Sequence, residues 1–435
     1  MRAFLLASDP EHYLEHFLEH TLETLNLPPE ILGTAFGINP ILFDNLGEST
    51  YFQLLTRVIA TFYHKRQKLL QFNTLDDAAH LLRTSNKILV ITGAGISTSL
   101  GIPDFRSKGT GFYSKLLEAG YSEPEEVFEI HNFVEDPSVF YSLARDLLPD
   151  EQMRFSPTHA FLKLLQDKGK LLTCYTQNID NLEAKAGIEK DKLIQCHGSF
   201  ATATCLKCRH RVPGDEIFPA IRAQQVARCQ RCVEALASAE QHQPPGPPSG
   251  NKPQPYKPDA SDNDDDDDDD DIPEPGVLKP GVLKPDIIFF GEPLPNNFFD
   301  RFTQTDAALT DLVLVIGTSL KVAPVSDIPN YLPRSVPHIY ISRDPVRHVN
   351  FDVQLLGDCD AVVFELCRKA GWGRLGHEMV PAEFEVEVEA VERTGHHWSV
   401  KAKPGVGIDG AAEGPKGLIP DGRVERNIPG ALVPE

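Results

Sequence analysis

Along the middle of the chain, short uninterrupted apolar runs alternate with small or polar turns. Ile88–Ile91, Leu171–Thr176, Leu312–Ile316, His338–Ile341 and Ala361–Phe364 are four to six residues long and rich in Ile, Val and Leu. Continuous rather than alternating hydrophobicity predicts strands buried on both faces, as in a parallel sheet. The first four runs lead into Gly93-Ala94-Gly95, Gln177-Asn178-Ile179-Asp180, Gly317-Thr318-Ser319 and Ser342-Arg343-Asp344, and the fifth follows Gly357–Asp360. Between them, Glu125–Leu148 and Ala160–Gln166 have helical spacing, the second opened by an N-cap at Ser156 with Pro157 in the first turn. Strand, turn and helix in repetition predict an α/β fold with a doubly wound, Rossmann-like parallel sheet.

The pattern changes at both ends and once in the middle. From about Asp9 to Phe72 the pattern is helical, punctuated by Pro28-Pro29 and Asn39-Pro40 into three or four helices, with Leu54, Leu55, Val58, Ile59, Phe62 and Tyr63 at three- and four-residue spacing. That is expected of a helical layer on the core, with a separate binding module as the second reading. From Glu234 to Pro275 the chain is rich in Pro, Gly, Gln and Asp, the composition of a disordered insertion. Gly276–Pro280 then repeats as Gly281–Pro285, the second copy being read as the one in working register. Phe384–Val388 alternates for one strand's length, but the tail as a whole is expected to be mostly disordered. The divisions are thus a helical region at 1–73, a catalytic domain at 74–372 and a tail at 373–435. The catalytic domain divides into a core at 74–200 and 281–372, a cysteine-bearing module at 201–233 and an insertion at 234–280.

The net charge of −21 is concentrated: Asp262 and Asp264–Asp271 place nine negative charges within ten residues. This balance argues for basic partners and against direct nucleic-acid binding. No segment predicts a membrane span, and the apolar run in Met1–Ala7 is too short for a signal peptide. Eight cysteines are present, four of them as Cys205-x2-Cys208 and, twenty residues on, Cys229-x2-Cys232. That spacing predicts one structural zinc held by four thiolates, with no position left open for water. Gly93 and Gly95 let the backbone turn sharply and approach a ligand, with Ser97, Thr98 and Ser99 at a helix start suited to a phosphate. The third glycine of a dinucleotide fingerprint is missing, because Thr98 stands there, and no ribose-binding acid follows; a nicotinamide dehydrogenase is therefore disfavoured.

The continuation Gly101-Ile102-Pro103-Asp104-Phe105-Arg106 resembles the signature of the sirtuins, NAD-dependent protein-lysine deacylases. The resemblance extends from about Thr74 to Trp372 through GAGIST, GIPDFRS, QNID, CHGS, the four cysteines, KPDIIFFGE, GTSLKVAPV and SRDP. The wording is most similar to the fungal nuclear, silent-information-regulator-like histone deacetylases. It implies that Gly93, Ala94, Gly95 and Ile96 hold the NAD pyrophosphate and that Asp104, Phe105 and Arg106 border the nicotinamide. Gln177, Asn178, Ile179 and Asp180 would line the nicotinamide–ribose pocket. Gly317, Thr318, Ser319, Ser342, Arg343, Asp344 and Cys359 would face the adenosine half. Ser342 departs from the family's asparagine.

His197 is implied as the base that takes a proton from the ribose hydroxyls, with Asn178 and Asp180 placing cofactor and water. Ile288, Phe289, Phe290, Gly291 and Glu292 are implied to bind the peptide by strand addition, the two phenylalanines walling a tunnel for the acyl-lysine. Phe112 and Ser114 stand where succinyl-removing relatives carry Tyr and Arg, so acetyl or a longer apolar acyl group is expected. The implied partners are acetylated protein tails, histones among them, and silencing or corepressor proteins at the N-terminal region. The implied location is the nucleus, with the cytoplasm as alternative. A mono-ADP-ribosyltransferase, or a weakly catalytic NAD-binding silencing scaffold, are the competing functions.

Overall fold

The computed structural model describes residues 66–241 and 281–403, apart from 108, 119, 122, 151, 153, 392 and 393. It also describes 31, 33–34, 38, 50–55 and 58 of the N-terminal region. The acidic run and the first copy of the pentapeptide lie outside the described residues.

The core is built on one large, mainly parallel sheet with a smaller antiparallel sheet beside it. β1 (Ile88–Thr92), β2 (Leu171–Thr176), β3 (Leu193–Gln195), β7 (Leu312–Ile316), β8 (His338–Ser342) and β9 (Val353–Leu356) run parallel. The three-stranded partner sheet is formed by β4 (Gly198–Cys205), β5 (Arg211–Pro213) and β6 (Leu283–Ile287) in antiparallel order β5-β4-β6. Two further strands, β10 (Val386–Ala390) and β11 (His397–Ala402), form a hairpin whose second strand joins β9 in parallel. The large sheet has eight strands in the order β10-β11-β9-β8-β7-β1-β2-β3.

Every residue of β1, β2 and β7 is buried, as the uninterrupted apolar runs require. Alternate side chains serve opposite layers. Ile88 and Val90 pack with helices α1 (Leu75–Thr84), α2 (Pro157–Asp167) and α3 (Cys359–Lys369) through Leu82, Phe161 and Val362. Leu89 and Ile91 face the other layer, with Phe298, Phe302, Val325 and Ile328. The helix start read from the sequence at Ser156 has the expected chemistry, and a second capped start is found at Thr74. Thr74 and Asp77 form a capping box at α1, and Ser156 and His159 form one at α2.

Three readings are corrected. Ala361–Phe364 is not a strand but part of α3, and the strand of that unit is Val353–Leu356. A short apolar run buried on every side looks the same in either state. The tail is ordered as far as Lys403. Phe384 and Val400 are buried against α3, with the Phe384 ring 4.9 Å from Phe364 in edge-to-face contact. The insertion does not begin at Glu234, because the helix Gln230–Gln241 runs through it, its Ala and Leu residues being strong helix formers. In the N-terminal region, residues 50–55 and 58 are helical, and Tyr51 and Leu55 are buried with Ile38 in a small cluster of their own.

Candidate functional site

The chain leaves β1 for β2 in one direction and leaves β7 for β8 in the other, so the order of strands reverses between β1 and β7. Ligands of open α/β sheets bind at the carboxyl ends of the strands on either side of such a reversal. Gly93-Ala94-Gly95 follows β1 and Gly317-Thr318-Ser319 follows β7, and the two loops interlock. The Gly95 N–H donates to the Gly317 carbonyl at 2.8 Å. A Cβ at Gly93 would lie 2.5 Å from the Thr318 Cβ, and one at Gly95 2.7 Å from the Gly317 Cα. The glycines are thus required first by backbone packing on the neighbouring loop. Gly317 itself has φ +67°, a left-handed conformation that other residues resist.

Gln177 ties three strand ends together. Its N–H donates to the Thr92 carbonyl at 3.0 Å, its side-chain amide donates to Thr318 Oγ1 at 3.0 Å, and its carbonyl accepts from His197 Nδ1 at 3.0 Å. Because a carbonyl can only accept, Nδ1 carries the ring proton and Nε2 is left as the basic nitrogen. Burial is the largest influence on His197 and lowers its pKa below the ordinary histidine value, against the Gln177 hydrogen bond, with Arg106 adding to the fall. The imidazole is therefore neutral at physiological pH. Asp180, wholly buried, accepts from Ser97 Oγ at 2.7 Å and from the Leu182 N–H at 3.0 Å, and Asn178 Nδ2 reaches Ser97 Oγ at 3.5 Å. The Ile179 carbonyl accepts from the Phe200 N–H at 2.8 Å, joining this turn to the smaller sheet.

The remaining cofactor candidates are distributed around these loops. Asp104 organises its own loop, its carboxylate accepting from the N–H groups of Arg106 and Ser107 at 3.0 and 2.7 Å. Phe105 lies in an aromatic cluster with Phe112, Tyr113 and Phe128, while Arg106 is exposed. Ser342 is half-buried at the end of β8, its carbonyl accepting from Gly357 at 3.0 Å. Arg343 pairs with Asp358 at 2.6 Å, Asp344 is exposed, and Cys359 is buried at the start of α3. The chemistry of the set suits a dinucleotide: carbonyl-lined, glycine-narrowed loops, a neutral base and buried polar side chains at strand ends.

The proposed substrate strand is corrected in two respects. Phe289 and Phe290 do not wall one tunnel. Successive side chains leave an extended chain on opposite faces, so Phe289 is buried among Phe128, Phe133 and Phe140 while Phe290 is 46% exposed. Most of the main chain is already engaged. Ile288 N–H donates to the His197 carbonyl at 2.8 Å, Phe290 N–H to Phe128 at 2.7 Å and Phe289 N–H to Glu292 Oε2 at 2.8 Å. An added peptide strand would have the Ile288 carbonyl, Gly291 and the Glu292 carbonyl of this stretch to pair with. Lys284, buried below the loop, donates to the Ile287 carbonyl at 2.8 Å, pairs with Glu292 at 2.8 Å and lies 4.4 Å from the Phe289 ring centre.

The four cysteines converge as expected. Cys205 and Cys232 sulfurs are 3.7 Å apart, as are those of Cys208 and Cys229, and all four lie within 4.8 Å of one another. Tetrahedral zinc–thiolate bonds place sulfurs about 3.8 Å apart, so the set fits one structural zinc ion. Gly281 packs directly on it: a Cβ there would lie 2.4 Å from Cys205 Sγ.

Some residues of the site were not singled out in the sequence: Thr92, Thr176, Glu183 and Lys284; Ser97 was, but for a phosphate rather than for Asp180. Each adjoins a motif, but nothing local distinguishes a hydroxyl that holds a buried carboxylate from one that faces solvent.

These loops and the zinc module define a class: an NAD-binding α/β protein whose catalytic turn is shared with a small metal-stapled domain. The chain belongs to the Sir2 family, whose model matches residues 93–324. It is 46% identical over 348 residues to the NAD-dependent histone deacetylase sir2 of Schizosaccharomyces pombe, covering 80% of this chain and 70% of the relative. It is 47% identical over 318 residues to two Saccharomyces cerevisiae proteins, the NAD-dependent histone deacetylase SIR2 and the NAD-dependent protein deacetylase HST1. Those matches cover 73% of this chain and 54% and 59% of the relatives. The chain thus spans little more than half the length of several relatives it matches. None of these names supports the ADP-ribosyltransferase alternative. Among the described residues, no helix is long and apolar enough to cross a membrane.

Proposed function

We propose that this protein removes acetyl groups from lysine side chains in proteins at the expense of NAD, with histone tails as substrates and transcriptional silencing in the nucleus as its setting. The observation that carries the reading is the state of His197. Its Nδ1–H is fixed on the Gln177 carbonyl, its Nε2 is free to accept, and its own carbonyl holds Ile288 of the substrate strand. One short stretch thereby connects the base to the peptide groove.

When bound, NAD supplies a ribose carbon open to attack and nicotinamide as leaving group. Gly93, Ala94, Gly95, Ile96 and Gly317–Ser319 would hold its phosphates and ribose, and Gln177–Asp180 with Asp104–Arg106 its nicotinamide end. Ser342–Asp344 and Cys359 would hold its adenosine. His197 Nε2 takes the proton from a ribose hydroxyl, and Asn178 and Asp180 orient the groups around it. Phe112 is buried and Ser114 is engaged with the Ser107 carbonyl at 3.0 Å, so neither position offers a cation to an acidic acyl group, which favours acetyl or a longer apolar acyl group. On this reading the machinery belongs to a catalytic domain at 74–372, with strands from 373–403 joining its sheet, and the N-terminal region would be the surface for silencing partners.

The test is nicotinamide release from NAD with and without an acetylated histone-tail peptide, for wild type and His197→Ala. Release that needs the acetyl group, yields acetyl-ADP-ribose and disappears in the variant is expected. A wild type that binds NAD but turns over no acyl peptide would return the protein to the scaffold reading.

A further inference from the structure

Behind the Asn178–Asp180 turn lies a buried cluster that joins Asp180 to two residues the reaction does not use directly. His159, Asp180 and Glu183 are each at most 4% exposed, and their nitrogen and carboxylate atoms lie within 4.8 Å of one another. The hydrogen bonds around them are unevenly shared. At His159, Nδ1 accepts from the Ser156 N–H at 3.2 Å, while the Ser156 hydroxyl gives its own proton to the Ile96 carbonyl at 2.7 Å. Nδ1 also lies 2.7 Å from the Ser156 hydroxyl oxygen, and Nε2 has no hydrogen-bond partner.

Glu183 is divided in the same way. Its Oε1 accepts from the hydroxyls of Thr92 at 3.1 Å and Thr176 at 2.5 Å, whereas Oε2 has no partner at all. Asp180, in contrast, has donors on both oxygens. Two carboxylates this close and this buried do not both ionise; the anion belongs on the one with the donors. Thr176 Oγ1 in turn accepts the Asn178 N–H at 3.0 Å, so Glu183 reaches the proposed catalytic asparagine through one hydroxyl.

We propose that Glu183 is a positioning residue of the NAD pocket, working as a neutral carboxylic acid. Its Oε1 fixes the Thr92 and Thr176 hydroxyls, the latter beneath Asn178, and its second oxygen carries the proton, so that no second negative charge stands beside Asp180. Burial, followed by the Asp180 charge, raises the Glu183 pKa to about 7, in accord with this assignment. The titratable groups facing it are Asp180, His159 of α2, Cys174 of β2 and Cys196. The proposal rests on the NAD-dependent reading of the pocket, but its first readout does not.

The experiment compares wild type with Glu183→Gln and Glu183→Ala. Infrared difference spectra of the NAD-free proteins at neutral pH are expected to show a protonated-carboxyl band in wild type. That band disappears in Glu183→Gln and fades in wild type as pH is raised. Calorimetric NAD titration is expected to show Glu183→Gln within about threefold of wild type and Glu183→Ala weakened at least tenfold, with folding checked by circular dichroism. Where Glu183→Ala does not fold, the Gln variant carries the test. A wild type without the band, a band that persists in Glu183→Gln, or a Gln variant weakened tenfold or more would each overturn the proposal. Failure of wild type to deacetylate would instead strike the functional reading and leave the infrared result standing.

Discussion

The Ile288 N–H donates to the carbonyl of His197 at 2.8 Å, across residues 91 positions apart in the sequence. Through this bond the small zinc-bearing sheet presents its strand to the base held at the end of the large sheet. A shift of the strand is thereby a shift of the base.

Because burial lowers the His197 pKa, the neutral form is retained below the pH at which an exposed histidine would protonate. The kcat/KM for acetyl-peptide is expected to stay level as pH falls to about 6.5, where a free histidine is half-charged, and to decline only beneath it. A rate profile with its acid midpoint at or above that value would contradict the assignment of His197 as the neutral base.

Phe289 and Phe290 are expected to separate stability from binding. Phe289→Ala empties a core position and should cost about 3–5 kcal/mol in unfolding free energy. Phe290→Ala, at a half-exposed position, should leave the melting temperature nearly unchanged and raise the KM for peptide. Denaturant titration and peptide kinetics on the two variants decide it.

Gly281 has no room for a methyl group beside Cys205 Sγ. Gly281→Ala is expected to lower zinc content, measured by metal analysis of the purified protein, and to speed zinc loss to a chelator. Retention of one full equivalent at the wild-type rate would show that the sulfur cluster can shift to accept it.

Asp352 is fully buried, pairs with the buried Arg66 and also accepts from the N–H groups of Leu69 and His338 at 2.5 and 2.7 Å. Asp352→Asn leaves the Arg66 charge without its counter-ion and is expected to destabilise by about 3–5 kcal/mol. An equilibrium unfolding curve close to that of wild type would show that solvent reaches the guanidinium.

Strands β1, β2, β7 and β8, the cap at Ser156 and the zinc cysteines could be assigned or placed from local information. A doubly buried strand must be apolar throughout, a helix start favours a side-chain oxygen that accepts from its free N–H groups, and four thiolates at ribbon spacing have few other uses. The same locality explains the error at Ala361–Phe364, where burial on all sides erases the difference between strand and helix. It also explains the tail, whose hairpin at Val386–Ala390 and His397–Ala402 is half-exposed and draws its stability from β9 and α3 rather than from its own pattern.

The sequence by itself determined the sheet, its family, the zinc ligands and the loops at the strand ends, because those are set by burial, backbone freedom and spacing along the chain. Only the tertiary structure decided that Phe289 and Phe290 part company, that Gly93 and Gly95 serve the neighbouring Gly317 loop, and that Glu183, Thr176 and Ser97 stand behind Asn178 and Asp180. Those relations join residues from different strands, and a side chain's partner across a sheet is fixed by register and packing rather than by anything its neighbours in sequence carry.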